Sequence, residues 1–178
     1  MKTVCVFCSS SESVSDKIKK DGAQFGKLLA QNGCALLYGG TNQGLMRILA
    51  NAHKEAGGYL IGVIPSYMIN NGEAYSDLDR IIEVDELGSR KQKMYKNSDV
   101  LVALPGGIGT YDEIFDAYSL KTVNHNDKPM FLLNSDGYFK PLLDLIKHGV
   151  DCKTITPENA NHLKAADTPE ELIKLIIG

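Results

Sequence analysis

Short apolar runs alternate with longer stretches of helical periodicity from one end of this chain to the other. Residues 3–7 form a first apolar run and predict a strand, followed by a turn through Ser9, Ser10 and Ser11. From about Ser15 the spacing of Ile18, Phe25, Leu28 and Leu29 places them on one helical face, and Asn32-Gly33 ends that helix. The pattern then predicts a strand at 34–38, a loop at 39–44, a helix at 45–56 closed by Gly57-Gly58, and a strand at 59–64 stopped by Pro65. Residues 67–79 are polar and contain glycine, which predicts a mobile loop; 80–84 follow as a short strand and 86–97 as a polar helix. The continuous apolar run at 100–104 has the character of a central parallel strand covered on both faces. A helix from about Thr110, a strand at 130–133 and helices near 138–148 and 169–177 complete the pattern.

Alternation of this kind predicts an α/β chain with a three-layer, Rossmann-like fold: a mostly parallel central sheet with helices on both faces, in one domain spanning 1–178. In such sheets ligands bind beyond the carboxyl ends of the strands, where the strand order switches. The turns at 9–11, 39–44, 86–90 and 105–110 all leave the carboxyl ends of predicted strands, so they share one edge.

Composition narrows the function classes. The 178 residues carry a formal net charge of −3, which supplies no basic field for nucleic acid or an anionic membrane surface. No apolar run approaches the roughly 20 residues needed to span a bilayer, and a strand directly after Met1-Lys2 leaves no room for a cleavable signal. A cytoplasmic enzyme or binding protein is the expectation. Cys5 and Cys8 form a C-x-x-C, but residues three apart in an extended run face opposite ways and cannot share a disulfide or a metal. The four histidines, at 53, 125, 148 and 162, show no ligand spacing, so no metal site is expected.

The strongest chemical signal is Pro105-Gly106-Gly107-Ile108-Gly109-Thr110, which leaves the central strand and enters a helix. Three glycines in four positions let backbone approach a ligand, and Thr110 is a good N-cap for a helix whose free N–H groups would face an anion, phosphate above all. A tight turn using glycine for geometry alone is the plain alternative. The loop matches neither the G-x-G-x-x-G fingerprint nor a Walker loop. Glu113 fits two roles equally: the second half of a Thr110-x-x-Glu113 capping box, or a carboxylate facing the ligand. The second glycine loop, from Tyr38 to Met46, also joins a strand to a helix and offers Gly40, Asn42 and Gly44 as candidate contacts, with a plain turn the equal alternative. Arg90-Lys91 reads either as a solvated helix face or, with Arg90 in the first turn, as a cation awaiting an anion.

Together these residues resemble the Lonely Guy family of cytokinin riboside 5′-monophosphate phosphoribohydrolases. The hallmark P-G-G-x-G-T-x-x-E stands unbroken from Pro105 to Glu113, and Arg90-Lys91 begins fifteen residues before that proline, as in the family. Val6-Phe7-Cys8-Ser9-Ser10, Tyr38-Gly39-Gly40, Gly44-Leu45-Met46, Val63-Ile64-Pro65 and Leu132 to Tyr138 match further stretches. The resemblance implies hydrolysis of the N-glycosidic bond of a nucleoside 5′-monophosphate, a cytokinin riboside monophosphate or AMP, to free base and ribose 5-phosphate. It implies Arg90 and Glu113 as the catalytic pair, and Gly106, Gly107, Ile108, Gly109 and Thr110 as the phosphate-binding loop. Lys91, Met94, Ser119 and Glu73 are implied as further substrate-binding residues. It implies no cofactor, and a homodimer with helices near the site at its interface. Such sequences often carry the label lysine decarboxylase, but no pyridoxal-phosphate lysine context is recognisable here.

Three positions depart from the family pattern: Thr41 where a third glycine is common, Arg47 where a glycine is common, and Gly88-Ser89 in place of His-Glu. All bear on the base pocket rather than on the phosphate loop. The competing class is a non-catalytic binder, either a nucleotide sensor or a carrier of a phosphorylated cofactor such as molybdenum cofactor.

Overall fold

In the computed structural model, which describes residues 1–178, seven strands join one sheet. They are β1 (Thr3–Phe7), β2 (Ala35–Tyr38), β3 (Leu60–Pro65), β4 (Arg80–Val84), β5 (Val100–Ala103), β6 (Met130–Leu133) and β7 (Leu163–Ala166). Their order is β4-β3-β2-β1-β5-β6-β7 and every pairing is parallel, so the expectation of a mostly parallel sheet becomes a wholly parallel one. Beside β1 the chain stops adding strands on one flank and starts on the other, which places the switch point between β1 and β5.

The helices are α1 (Asp16–Gln31), α2 (Gly44–Glu55), α3 (Ser66–Asn70), α4 (Leu87–Lys96), α5 (Ile108–Thr122), α6 (Lys140–Asp151), α7 (Pro157–Ala160) and α8 (Pro169–Ile177). None is long and apolar enough to cross a membrane. Because successive strand residues point to opposite faces, the sheet feeds two separate cores. Val4, Val6 and Cys8 pack with Phe25 and Leu29 of α1, Leu45 and Leu49 of α2, and Leu172 of α8. Cys5 and Phe7 pack on the other side with Met94 and Tyr95 of α4, Ile114 of α5 and Ile146 of α6. Cys5 and Cys8 therefore belong to opposite cores, and all four cysteines are free.

Several boundaries differ from the sequence expectation, each for a local reason. β3 continues one residue through Pro65, which still pairs with Val84 in register. The segment expected to be a mobile loop opens with the single-turn α3, and its later part is tied to the second glycine loop by a Thr41–Ala74 bridge and a hydrogen bond from Tyr75 N–H to the Gly40 carbonyl, 2.8 Å. α5 starts at Ile108 with Gly107 at its N-cap, so Thr110 lies inside the first turn and does not cap the helix. Without that cap there is no capping box, and Glu113 is released from the first of its two readings. The helix expected near 138–148 begins at Lys140 and runs to Asp151. The sequence pattern also passed over α7 and β7. Leu-Lys-Ala-Ala in β7 has no β-branched residue and sits at the sheet edge. α7 did carry a signal, since Thr156 before Pro157 accepts a hydrogen bond from Asn159 N–H at 3.1 Å.

Candidate functional site

The carboxyl ends of β1, β2 and β5 open onto a cavity of about 410 Å³. Its wall is formed by Val6 and Phe7 at the end of β1, Cys8, Ser9, Ser10 and Ser11 after it, Gly39, Thr41, Gln43 and Met46 after β2, and Met68 of α3. Arg90 and Met94 of α4, and Gly107, Ile108, Gly109, Thr110 and Glu113 of α5 and its approach, complete it. A larger groove of about 870 Å³ lies away from this edge, among Lys20, Lys27, Glu55 and Glu170. Its lining comes from α1, α2 and the start of α8 and includes no strand end and no glycine loop, so we assign the chemistry to the smaller cavity.

The glycine-rich turns after β2 and β5 each lead into a helix whose start borders this cavity, and the two starts differ. At α2 the first N–H groups are already taken: Gly44 N–H donates to the Glu12 carboxylate at 2.9 Å, and Leu45 and Met46 N–H donate to the Ser9 carbonyl at 3.0 and 3.4 Å. At α5 the N–H groups of Ile108, Gly109 and Thr110 have no partner within the chain, and no side chain caps the helix. A helix start left open in a cavity is an anion site in waiting. Gly106 stands just outside it. A Cβ there would collide with the Thr110 side chain, so Gly106 serves the packing of Thr110 beneath the loop. Its carbonyl accepts from the Tyr138 hydroxyl, which anchors the loop from the far side.

Arg90 is aimed by backbone carbonyls. Its Nε donates to the Val63 carbonyl and its Nη2 to the Gly39 carbonyl, both at 2.8 Å. Gly39 must be glycine for this, because a Cβ would strike the guanidinium. The cation is thus fixed at the ends of β2 and β3 without an acidic partner, leaving its charge for the cavity. Glu113 enters from α5 and forms no ion pair with Arg90. Burial pushes its carboxyl up to about 7, while the Arg90 charge pulls it down, Asp112 raises it and Lys91 lowers it. A carboxyl held near neutrality beside an open anion site has the properties of an acid–base or charge-stabilising group.

The remaining candidates divide. Met94 lines the cavity. Gly40, Asn42 and Glu73 instead build the seam behind the second loop: Asn42 N–H donates to the Glu73 carbonyl at 3.1 Å, and the Glu73 carboxylate accepts from Asn71 Nδ2 at 3.3 Å. Lys91 points to Asp112 and Asp116 of α5, at 3.0 and 3.3 Å, and does not line the cavity. Ser119 is exposed further along α5. Arg47 departs from the family pattern without adding free charge, since Nη2 sits 2.6 Å from Glu12. Thr41 is buried in the cavity wall with its hydroxyl 3.5 Å from Met46 Sδ. Gln43 and Met68 escaped the sequence reading; the strand order that places both loops beside one another was the signal available.

Over residues 46–176 the chain matches the family model described as possible lysine decarboxylase. It is 37% identical over 174 residues to a probable cytokinin riboside 5′-monophosphate phosphoribohydrolase of Oryza sativa subsp. japonica, covering 97% of this chain and 71% of the relative. It is 35% identical over 176 residues to a cytokinin riboside 5′-monophosphate phosphoribohydrolase of Arabidopsis thaliana, with 97% and 76% covered. Among solved structures it is similar to the molybdenum cofactor binding protein of the phototrophic bacterium Rippkaea orientalis, with a TM-score of 0.74, 29% identity and coverage of 100% and 99%. It shares its fold with the molybdenum cofactor carrier protein of Chlamydomonas reinhardtii, with a TM-score of 0.75, 24% identity and coverage of 98% and 95%.

Proposed function

We propose, for a chain that belongs to the Lonely Guy family of phosphoribohydrolases within the family described as possible lysine decarboxylase, that it hydrolyses the N-glycosidic bond of a nucleoside 5′-monophosphate. One observation carries this reading: the open N–H groups of α5, the Glu113 carboxyl and the Arg90 guanidinium face a single cavity. The 5′-phosphate accepts hydrogen bonds from Ile108, Gly109 and Thr110 N–H, which fixes the ribose one helical turn from Glu113. Cleavage of the C1′–N bond builds positive charge on the sugar. Glu113, ionised, offsets that charge and takes a proton from the attacking water, while Arg90 holds the substrate and offsets charge on the departing base. Water adds at C1′, and the base leaves with the bonding electrons and takes up the proton that Glu113 removed from water, giving ribose 5-phosphate and free base. Binding energy from the phosphate orients the sugar.

Both AMP and its N6-isopentenyl counterpart are candidate substrates. The apolar side chains of Met46, Met68 and Met94 suit a flat base or a prenyl tail, and Thr41 adds a hydroxyl to the same wall. Incubation with each nucleotide, with chromatography of the released base, tests the reading. Glu113→Gln and Arg90→Ala are expected to slow release by about 10²-fold or more, with folding intact. Near-normal turnover in either variant overturns the assigned pair. Tight nucleotide binding with no base released by the wild type favours the second reading, a carrier or sensor of a phosphorylated ligand, to which the similarity to the Rippkaea orientalis protein lends weight.

A homodimer belongs to the same proposal. Ile108, which borders the cavity, and Phe115 are 81% and 40% exposed on α5, and Leu87 at the start of α4 is 53% exposed. Exposed apolar side chains on the helices that carry the site are suited to cover by a second copy.

A further inference from the structure

α4 delivers Arg90 and α5 delivers Glu113, so the way these two helices are held together sets the geometry between the proposed catalytic groups. One side chain reaches from the first helix to the backbone of the second at Glu113 itself. Tyr95 of α4 is 5% exposed, and its ring meets Phe7 of β1 edge-on, with centroids 6.3 Å apart. Its hydroxyl lies 2.9 Å from the Glu113 carbonyl oxygen and 2.9 Å from Asp116 Oδ2. Burial, and then the neighbouring Asp116, keep the phenol protonated, so it is a donor sharing one proton between two acceptors. The other oxygen of Asp116 takes Lys91 Nζ, which also reaches Asp112. Lys91 and Tyr95 on α4 thus grip Asp112, Glu113 and Asp116 on α5, enclosing the residue whose carboxyl faces the cavity.

We propose that Tyr95 is a positioning residue for Glu113, with Asp116 and Lys91 completing a lock between α4 and α5. The inference rests on the phosphoribohydrolase reading for its kinetic consequence and on geometry for its structural one. A carbonyl inside a helix has a second lone pair free, and a buried phenol occupying it fixes that turn against β1. The lock also gives Lys91 work that does not involve the substrate: it holds α5 in place and contributes charge near Glu113. The groups facing Glu113 are Arg90, Lys91 and Tyr95 from α4, Asp112 from α5, the neutral thiol of Cys5 in β1 and that of Cys8 just after it.

Tyr95→Phe keeps the ring against Phe7 and removes only the hydroxyl. In the full chain with AMP, kcat is expected to fall about tenfold, with KM held within about twofold. The acid limb of kcat/KM should move to lower pH, because a loosened turn admits water to Glu113 and relieves the burial that raises its carboxyl. Carboxyl-labelled glutamate, observed by NMR and assigned with Glu113→Gln, reads the same movement without turnover. Asp116→Asn, which leaves Tyr95 in place, should produce the same shift in kinetics and titration, and it decides the matter if Tyr95→Phe does not fold. Unchanged kcat with an unchanged Glu113 titration overturns the proposal, as does a rise in KM alone. Should the wild type release no base, the hydrolase reading falls, and the NMR comparison decides the positioning role independently.

Discussion

Glu113 shows how a single side chain couples stability to chemistry. Burial raises its carboxyl to about 7, and Arg90 and Lys91 limit the rise without cancelling it. If the ionised form is the working one, kcat/KM for base release should climb as pH passes about 7 and fall away in acid. A profile flat from pH 5 to 8 would remove Glu113 from that role. The same shift has a stability sign. A carboxyl whose folded value lies above its unfolded value of 4.5 favours the folded state most at pH below 4.5, and that advantage is lost as pH rises to about 7. Glu113→Gln should therefore raise the unfolding free energy at pH 8 more than at pH 5, by an amount on the order of 1–3 kcal/mol at the alkaline end, read by denaturant titration. The pair Arg90 and Glu113 was legible in sequence because motif spacing and strand order both pointed to one edge. The contacts that Lys91, Asn42 and Glu73 make were not, because their partners come from segments whose relative placement depends on tertiary packing.

At the scale of elements, two strand-to-helix turns looked alike in sequence and differ in structure. Both are glycine-rich, yet Glu12 and the Ser9 carbonyl close the start of α2, and nothing in the chain closes that of α5. Glu12 comes from the turn after β1, so no local pattern around residues 39–46 could reveal it. Its carboxylate is held below the ordinary range, first by the Gly44 N–H and further by Arg47, so the cap is complete above the unfolded value and is lost as pH falls through the lowered one. Glu12→Ala should lower the thermal midpoint by about a few degrees, measured by calorimetry near neutral pH, while KM for nucleotide stays unchanged. A large rise in KM would mean that Glu12 belongs to the binding site. The strands and long helices were readable from apolar periodicity. α3 and α7 were not, because each is a single turn that draws its stability from neighbours, and β7 was not, because Leu-Lys-Ala-Ala offers neither an apolar run nor a β-branched residue.

Over the whole molecule, the alternation of faces along β1 separates two cores and sets the site where the sheet changes direction. That arrangement gives the four free thiols very different lives as reagents. Cys152, exposed at the end of α6 with His148 Nε2 3.5 Å from its sulfur, meets solvent directly. It also lies toward the sheet edge opposite the cavity, since α6 runs back from the carboxyl end of β6. Cys5 and Cys34 are closed off inside the cores. Cys8, 8% exposed and part of the cavity wall, falls between, its thiol pushed up by burial and then by Glu113. A chromogenic disulfide reagent added to the native protein should thus release one fast equivalent and one slow one, with the last two appearing only on unfolding. Bound nucleotide should retard the slow equivalent and leave the fast one untouched; equal retardation of both, or of neither, would place the ligand elsewhere. The alternation of one strand thereby supplies an internal clock for occupancy, readable without turnover and without any engineered label.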